Sequence, residues 1–298
     1  MTTLREYLSG NTCEDDLITL IELIANQANP IRRAFLTNQS YADTENVYGE
    51  VQAELDTWSD IHLTEVLEAS GLVCELASEE KPEVLRFPDA HADYAVVMDP
   101  LDGSSLIQIN LTVGTIIGVY DNGNALSKGR DLRAAFYMLF GPMTVLTLSV
   151  GNGVTTFYLN DEDQYILMEE NVTIPEGNLY GSGGLRPDWP DYQRTYIEQI
   201  EAEGGKNRYT GSFVADFHQI LKYGGLYCYP ALKSKPNGKL RLVYEANPIG
   251  YLAEQAGGAI SDGTRCLLDV KPEKPDHLVP IYVGSKSMIK KIEAIRNV

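Results

Sequence analysis

The segment Val96–Ser105, VVMDPLDGSS, sets two aspartates three residues apart at the end of an apolar run and follows them with Gly-Ser-Ser. Carboxylates repel phosphate, whereas the amides of Gly103, Ser104 and Ser105 attract it. A divalent metal between them reconciles the two. A hard cation such as Mg²⁺ takes oxygen ligands in octahedral geometry and keeps several waters. Asp99, Asp102 and the carbonyl of Leu101 offer such ligands. The competing reading is a surface turn, because Asp, Pro and Gly are all turn formers.

Glu79-Glu80 follows one apolar stretch and Asp99 ends the next. Neighbouring strand ends would gather four carboxylates, a costly cluster without cations because like charges raise one another's pKa values. Read alone, the glutamate pair is a solvated charged loop. KSKPNGKLR carries Lys233, Lys235, Lys239 and Arg241 in a chain of net charge −18. It reads either as a solvated hairpin, since Pro-Asn-Gly is a turn signal, or as a seat for a second anionic group. Glu245, four residues on, is a further acid within reach of a metal. Arg208 and Tyr209 in NRYTGS are donors suited to phosphate.

Several chemistries are unsupported. The four cysteines have no zinc spacing, the four histidines form no metal pattern, and neither a Walker A lysine nor G-x-S-x-G is present. GSGG at Gly181–Gly184 is too short for a dinucleotide site. The acidic balance argues against nucleic-acid and anionic-membrane partners. No run reaches the ~18 apolar residues of a membrane span, so the expectation is a soluble cytoplasmic protein with free thiols.

The elements that must position these residues follow from periodicity. Leu17, Leu20, Ile21 and Ile24 predict a helix behind Asp15-Asp16. TWSDIHLTEVLEASG predicts another, stopped by Gly71. LVCELAS and DYAVVMD predict buried strands, and LTVGTIIGVYDNG and the stretch from AFYMLF to QYILM predict further strands joined by turns. LYGSGGLRPDWP reads as a connection between two halves, 1–177 and 178–298. Helices are expected in DYQRTYIEQIEAEGG, SFVADFHQILKYGG, PIGYLAEQAGG and MIKKIEAIRNV, and strands in LYCYPAL and PIYVGS. The fold class is mixed α and β.

At DPLDGSS with its upstream SEE, the chain resembles the Mg²⁺-dependent sugar and inositol phosphatases. DPLDGSSLIQINLTVGTIIGVY, RYTGSFVADFHQIL and YPALKSKPNGKLRLVYEANPIGYLAEQAGG narrow the resemblance to class I fructose-1,6-bisphosphatases and the related sedoheptulose-1,7-bisphosphatases. It runs from about Gly49 to the C-terminus. It implies a layered αβαβα sandwich assembled as a homotetramer. It also implies two or three Mg²⁺ ions per subunit, with Mn²⁺ as a substitute, on Glu79, Glu80, Asp99, the Leu101 carbonyl, Asp102 and Glu245. GEVQAELD resembles the family's mobile loop, which puts Glu50 and Asp56 near the metals as catalytic residues with Glu80. The reacting phosphate would rest on Asp102, Gly103, Ser104 and Ser105. The distant phosphate and sugar would meet Tyr209, Tyr229, Lys239 and, from a neighbouring subunit, Arg208. The implied reaction is release of the 1-phosphate of fructose 1,6-bisphosphate. The alternatives are a sedoheptulose or dual bisphosphatase, an inositol or nucleotide monophosphatase, and a non-catalytic phosphosugar sensor.

The chain departs from the family at Glu50, where Asp is usual, and at Leu106, where Asn is usual. It also lacks a clear Asn and Tyr pair for the far phosphate. GGLRPDWPDY and RYTGS lean towards the sedoheptulose enzyme, whereas YPALKSKPNGKLRLVYE leans towards the fructose enzyme. The family's AMP site uses a Lys-Tyr pair and an Arg, and here those cations are replaced by Asp93, before Tyr94, and by Asp121. Two carboxylates facing a nucleotide phosphate repel it. AMP titrated into an activity assay is therefore expected to inhibit weakly or not at all; strong inhibition at micromolar levels would contradict this.

Overall fold

Along one strand, Ala95 and Val97 face one hydrophobic core while Val96 and Met98 face another. That two-residue alternation, with both faces apolar, requires a sheet covered on each side. The computed structural model describes residues 1–11, 13–37, 41–45 and 51–296. Helices α1 (Leu4–Gly10), α2 (Asp15–Ala25) and α3 (Ala28–Ala34) open the chain, followed by a small ribbon of β1 (Tyr41–Glu45) and β2 (Val51–Ala53) and by α4 (Glu54–Ser70). Asp56 thus lies in the first turn of α4, so the C-terminal part of the expected mobile loop is helical. Glu50 lies outside the described residues.

An eight-stranded sheet follows: β3 (Val73–Ser78), β4 (Leu85–Arg86), β5 (Tyr94–Asp102), β6 (Val113–Tyr120), β7 (Ala134–Phe140), β8 (Thr144–Ser149), β9 (Thr155–Leu159) and β10 (Tyr165–Glu169). Its order is β10-β9-β8-β7-β6-β5-β3-β4. Only β3 and β5 run parallel. Next come β11 (Leu179–Ser182), α5 (Asp191–Ala202), β12 (Lys206–Asn207), α6 (Phe213–Tyr223) and β13 (Gly225–Tyr229). The chain closes with β14 (Leu240–Arg241), α7 (Asn247–Gln255), β15 (Ala259–Ser261), β16 (Leu278–Val279), β17 (Ile281–Gly284) and α8 (Lys286–Arg296). The second sheet has the order β12-β11-β13-β17-β15, and β14 pairs with β16 apart from it. Leu179–Ser182, read from sequence as a connection, is a strand that pairs in parallel with β13.

Three cores stack these parts. Helices α1–α4 pack on one face of the large sheet with Val96, Met98, Ile117 and Phe136. The opposite face, with Val97, Ile116 and Tyr137, packs on α6 and α7, which also meet Tyr227, Ile281 and Val283 of the second sheet. The far face of that sheet, with Leu226 and Tyr282, is covered by α5 and α8. The result is an αβαβα sandwich, as the resemblance implies. Among the described residues no helix is long and apolar enough to cross a membrane.

The central helices sit close to the sheet. An ideal Cβ on Gly114 of β6 would lie 2.6 Å from the Met138 carbonyl oxygen and 2.8 Å from Val214 of α6. Gly114→Ala is therefore expected to lower stability by about 1–3 kcal/mol through overpacking. The check is a lower urea midpoint at an unchanged m-value.

Candidate active site

The parallel pair β3–β5 places its acids side by side. Ser78 is the register partner of Met98, and the Glu79 N–H donates to the Met98 carbonyl at 3.1 Å. Glu79 and Glu80 therefore leave β3 beside Asp99. Two residues three apart on a regular strand point to opposite faces. Here the pairing of β5 with β6 shifts by one residue between Asp99 and Asp102, a bulge that re-aims the chain. Both aspartates then line one cleft. DPLDG is not a surface turn: it continues β5, with the Leu101 N–H donating to Asp99 Oδ1 at 3.0 Å and Thr115 Oγ1 donating to the Pro100 carbonyl at 2.9 Å.

Asp102 is held from the second half of the chain. Ser212 Oγ and the Val214 N–H both donate to its Oδ2, at 2.6 and 2.8 Å. These donors stand at the N-terminus of α6, where Ser212 is the N-cap. Gly103 adopts φ 86°, and a Cβ there would come within 2.7 Å of the Ser212 side chain. Ser104 then opens a 3-10 turn, Ser104–Ile109. Glu245 reaches the same place from a π-helical turn, Leu242–Ala246, and accepts from the Arg241 N–H at 2.5 Å.

Carboxylate oxygens of Glu79, Asp99 and Glu245 lie within 4.8 Å of one another. Asp99 and Glu245 are 3% exposed. Burial, then the charges of Glu79, Asp102 and Glu245, push Asp99 well above the ordinary carboxylate range. Burial and the charge of Glu79 raise Glu245 strongly, against the opposing Arg241 guanidinium. Asp102 is raised by burial to about 6, in spite of the hydrogen bonds that it accepts at the N-terminus of α6. The mutual repulsion of such a group must be relieved by bound protons or by added positive charge. Arg241, 2.6 Å from Glu79, supplies one. The donor set is all oxygen, which suits a hard divalent cation better than zinc or copper.

The cleft encloses about 450 Å³. Asp56, Glu79, Glu80, Asp99, Leu101, Asp102 and Glu245 line it together with Gly103, Ser104 and Ser105, and Tyr209, Tyr229 and Lys239 complete it. A larger cleft of about 720 Å³ beside α3 has no carboxylate in its lining. The basic run divides. Gly238 N–H donates to the Lys235 carbonyl at 3.0 Å, closing the expected turn. Lys233 and Lys235 face solvent, while Lys239 and Arg241, two apart, turn inward. Lys239 Nζ stands 6.0 Å from the Tyr229 ring centre, and Tyr209 stacks on Tyr227. Burial pushes the Tyr209 hydroxyl up to about 12, so it remains a donor at neutral pH. Arg208 does not line the cleft of its own chain; its guanidinium lies over Tyr223.

Sequence reasoning missed Arg241 as a partner of the acids, and missed Ser212, Phe213 and Tyr227. Arg241 had a signal, its two-residue spacing from Lys239. Ser212 had another, a serine directly before the apolar run of α6. Tyr227 looked like any strand residue.

The layered fold carries a cleft that is acidic at one end and basic and aromatic at the other. Models of the "Fructose-1-6-bisphosphatase, N-terminal domain" and "C-terminal domain" match residues 11–170 and 174–297. A class 1 fructose-1,6-bisphosphatase of Methanocorpusculum labreanum is 59% identical over 99% of this chain and 92% of its own length. Its counterpart in Methanospirillum hungatei is 53% identical, covering 99% and 95%. The holo crystal structure of Leishmania major fructose-1,6-bisphosphatase superposes with a TM-score of 0.93 at 31% identity, over 100% of this chain and 99% of that one. The chain belongs to the fructose-1,6-bisphosphatase family, and it is an enzyme of the phosphatase class.

The raised carboxyls would give any divalent cation held here a definite pH dependence. Asp102 keeps its proton up to about pH 6, above its ordinary value of 3.8. Between these values the folded, cation-free protein binds more protons than the unfolded chain, so this group's contribution to stability falls as pH rises through the window. A cation must displace those protons. Divalent-cation affinity measured by calorimetry should therefore rise as pH increases through about 6, with protons released on binding; a pH-independent affinity would contradict the arrangement.

Proposed function

We propose that the protein hydrolyses the 1-phosphate of fructose 1,6-bisphosphate, in the presence of Mg²⁺, to fructose 6-phosphate and inorganic phosphate. We place the reaction in cytoplasmic gluconeogenesis and the enzyme in a homotetramer. The observation that carries the reading is a single cleft with three mutually close carboxylates, Glu79, Asp99 and Glu245, and a separate group of Lys239, Tyr209 and Tyr229. One phosphate calls for the first set and a second phosphate for the other.

Glu79, Glu80, Asp99, the Leu101 carbonyl, Asp102 and Glu245 would hold two or three ions. When bound, these ions supply charge neutralisation and Lewis acidity at the phosphate. The chain's own residues do the rest. Asp102 has one oxygen engaged by α6, which fixes the direction of the other. Glu80, with Asp56 behind it, accepts the proton of the attacking water. The Gly103 and Ser104 amides and the Ser105 hydroxyl receive the oxygens of the transferring phosphoryl, where charge rearranges in the transition state. Asp102 flanks that phosphoryl as well. Lys239, Tyr209, Tyr229 and an Arg208 from a neighbouring copy hold the far phosphate. Their binding energy positions the reacting end and disfavours monophosphates. Residues 1–177 would thus bring most cation ligands, and residues 178–298 the sugar and the distal phosphate. Glu50 would join Asp56 and Glu80 from the segment that precedes α4.

Phosphate release from fructose 1,6-bisphosphate, sedoheptulose 1,7-bisphosphate, fructose 6-phosphate and inositol phosphate, each with Mg²⁺ and with excess chelator, tests this. Turnover of fructose 1,6-bisphosphate, abolished by chelator and largely lost in Asp102→Asn, is expected. Lys239→Ala should raise KM for the bisphosphate roughly tenfold or more, the loss of a charged hydrogen bond. Faster release from the sedoheptulose ester would reassign the substrate, and release from inositol phosphate indifferent to Lys239→Ala would make this a monophosphatase. Binding without turnover would make it a sensor.

A further inference from the structure

A buried carboxylate with no part in the mechanism above bonds back to the loop that leads into α6. Asp216, in the first turn of α6, is 2% exposed. Its side chain turns back along the chain. Thr210 N–H donates to Oδ1 and Oδ2 at 2.9 and 3.1 Å, and Gly211 N–H donates to Oδ2 at 3.4 Å. Gln219 Nε2 adds a bond at 3.2 Å. Gly211 adopts φ +103°, a conformation that L side chains rarely take, and both amides aim at the one carboxylate. The main chain closes the same loop, with the Asp216 N–H donating to the Ser212 carbonyl at 3.0 Å. Upstream, the Arg208 N–H is fixed to the Tyr180 carbonyl of β11 at 2.8 Å.

The two residues that Asp216 grips separate two functional contacts. Tyr209, immediately before Thr210, lines the sugar end of the cleft. Ser212, immediately after Gly211, donates to Asp102 at the acidic end. We propose that Asp216 is a positioning residue that makes Tyr209–Ser212 a rigid lever, coupling occupation of the sugar end to the placement of Asp102. The proposal rests on the functional reading above. Sugar phosphate held against Tyr209 steadies Ser212 and Val214, and these steady the oxygen of Asp102 that faces the cation site. Without Asp216, the Thr210 and Gly211 amides lose their acceptor and the two ends of the cleft act separately.

Coupling is reciprocal and is read as a ratio of affinities. Mg²⁺ is titrated calorimetrically into the intact protein with and without saturating fructose 6-phosphate. In the wild type, fructose 6-phosphate is expected to tighten Mg²⁺ binding roughly fivefold or more. In Asp216→Ala this ratio should fall to near one, while Mg²⁺ affinity without sugar changes little. Asp216→Asn retains one acceptor oxygen and should give an intermediate ratio. It also carries the measurement should the alanine variant fail to fold. A merely structural role would lower the thermal midpoint and leave the ratio intact. An unchanged ratio in either folded variant, or a wild-type ratio of one, overturns the proposal. A wild type that neither hydrolyses fructose 1,6-bisphosphate nor binds fructose 6-phosphate overturns the functional reading instead, and the coupling proposal falls with it.

Discussion

Crowding of negative charge in a dry place is the constraint on which this molecule turns. Two unit charges about 4 Å apart repel by roughly 4 kcal/mol at an effective dielectric of 20. Glu79, Asp99 and Glu245 crowd this closely, and Asp99 and Glu245 are almost fully buried. No chain would hold them so by their own interactions. The surrounding structure over-determines them: a parallel strand pair, a bulge, a π-helical turn and a helix N-terminus each fix one acid. Arg241 supplies one compensating charge. The rest must come from protons, as the raised pKa values show, or from cations. The scaffold invests rigidity so that a binding partner can collect the electrostatic return.

The site was partly legible in the sequence, and the limit is instructive. Glu79, Glu80 and Asp99 follow from local reasoning, because apolar strands that end in acids put them together where neighbouring strands leave the sheet. Asp102 was grouped with Asp99 as an oxygen ligand, and the structure brings the two to one cleft by a one-residue register shift against β6. A bulge depends on the pairing partner, which the segment itself does not specify. Ser212 lies 110 residues from Asp102, and nothing in either segment announces the contact.

The fold shows the same division. Helices α2, α4 and α5–α8 and the strands β3, β5–β10, β13 and β17 follow from periodicity and from glycine or acid at their ends, whereas the short strands β4, β12 and β15 do not. Gly71, at φ +66°, ends α4 as expected. Missed were α1 and α3, each seven residues long and too short to show a period. β11 was hidden by the glycines of LYGSGG. Those glycines permit close approach: a Cβ on Gly181 would lie 2.7 Å from the Arg208 carbonyl, and one on Gly183 would overlap Tyr229. A stretch that reads as flexible from composition is held tightly because it has no side chains there.

The middle helical layer belongs to both sheets at once. Phe213, Val214 and Phe217 of α6 and Ile249 and Leu252 of α7 share one core with Val97 and Tyr137 on one side and Tyr227 and Val283 on the other. Neither sheet has a finished surface of its own. The first 177 residues made alone would present the bare face of an eight-stranded sheet to water, an invitation to self-association. In chain order the large sheet precedes α6 and α7, so the face that they cover is complete only once the later residues have been made.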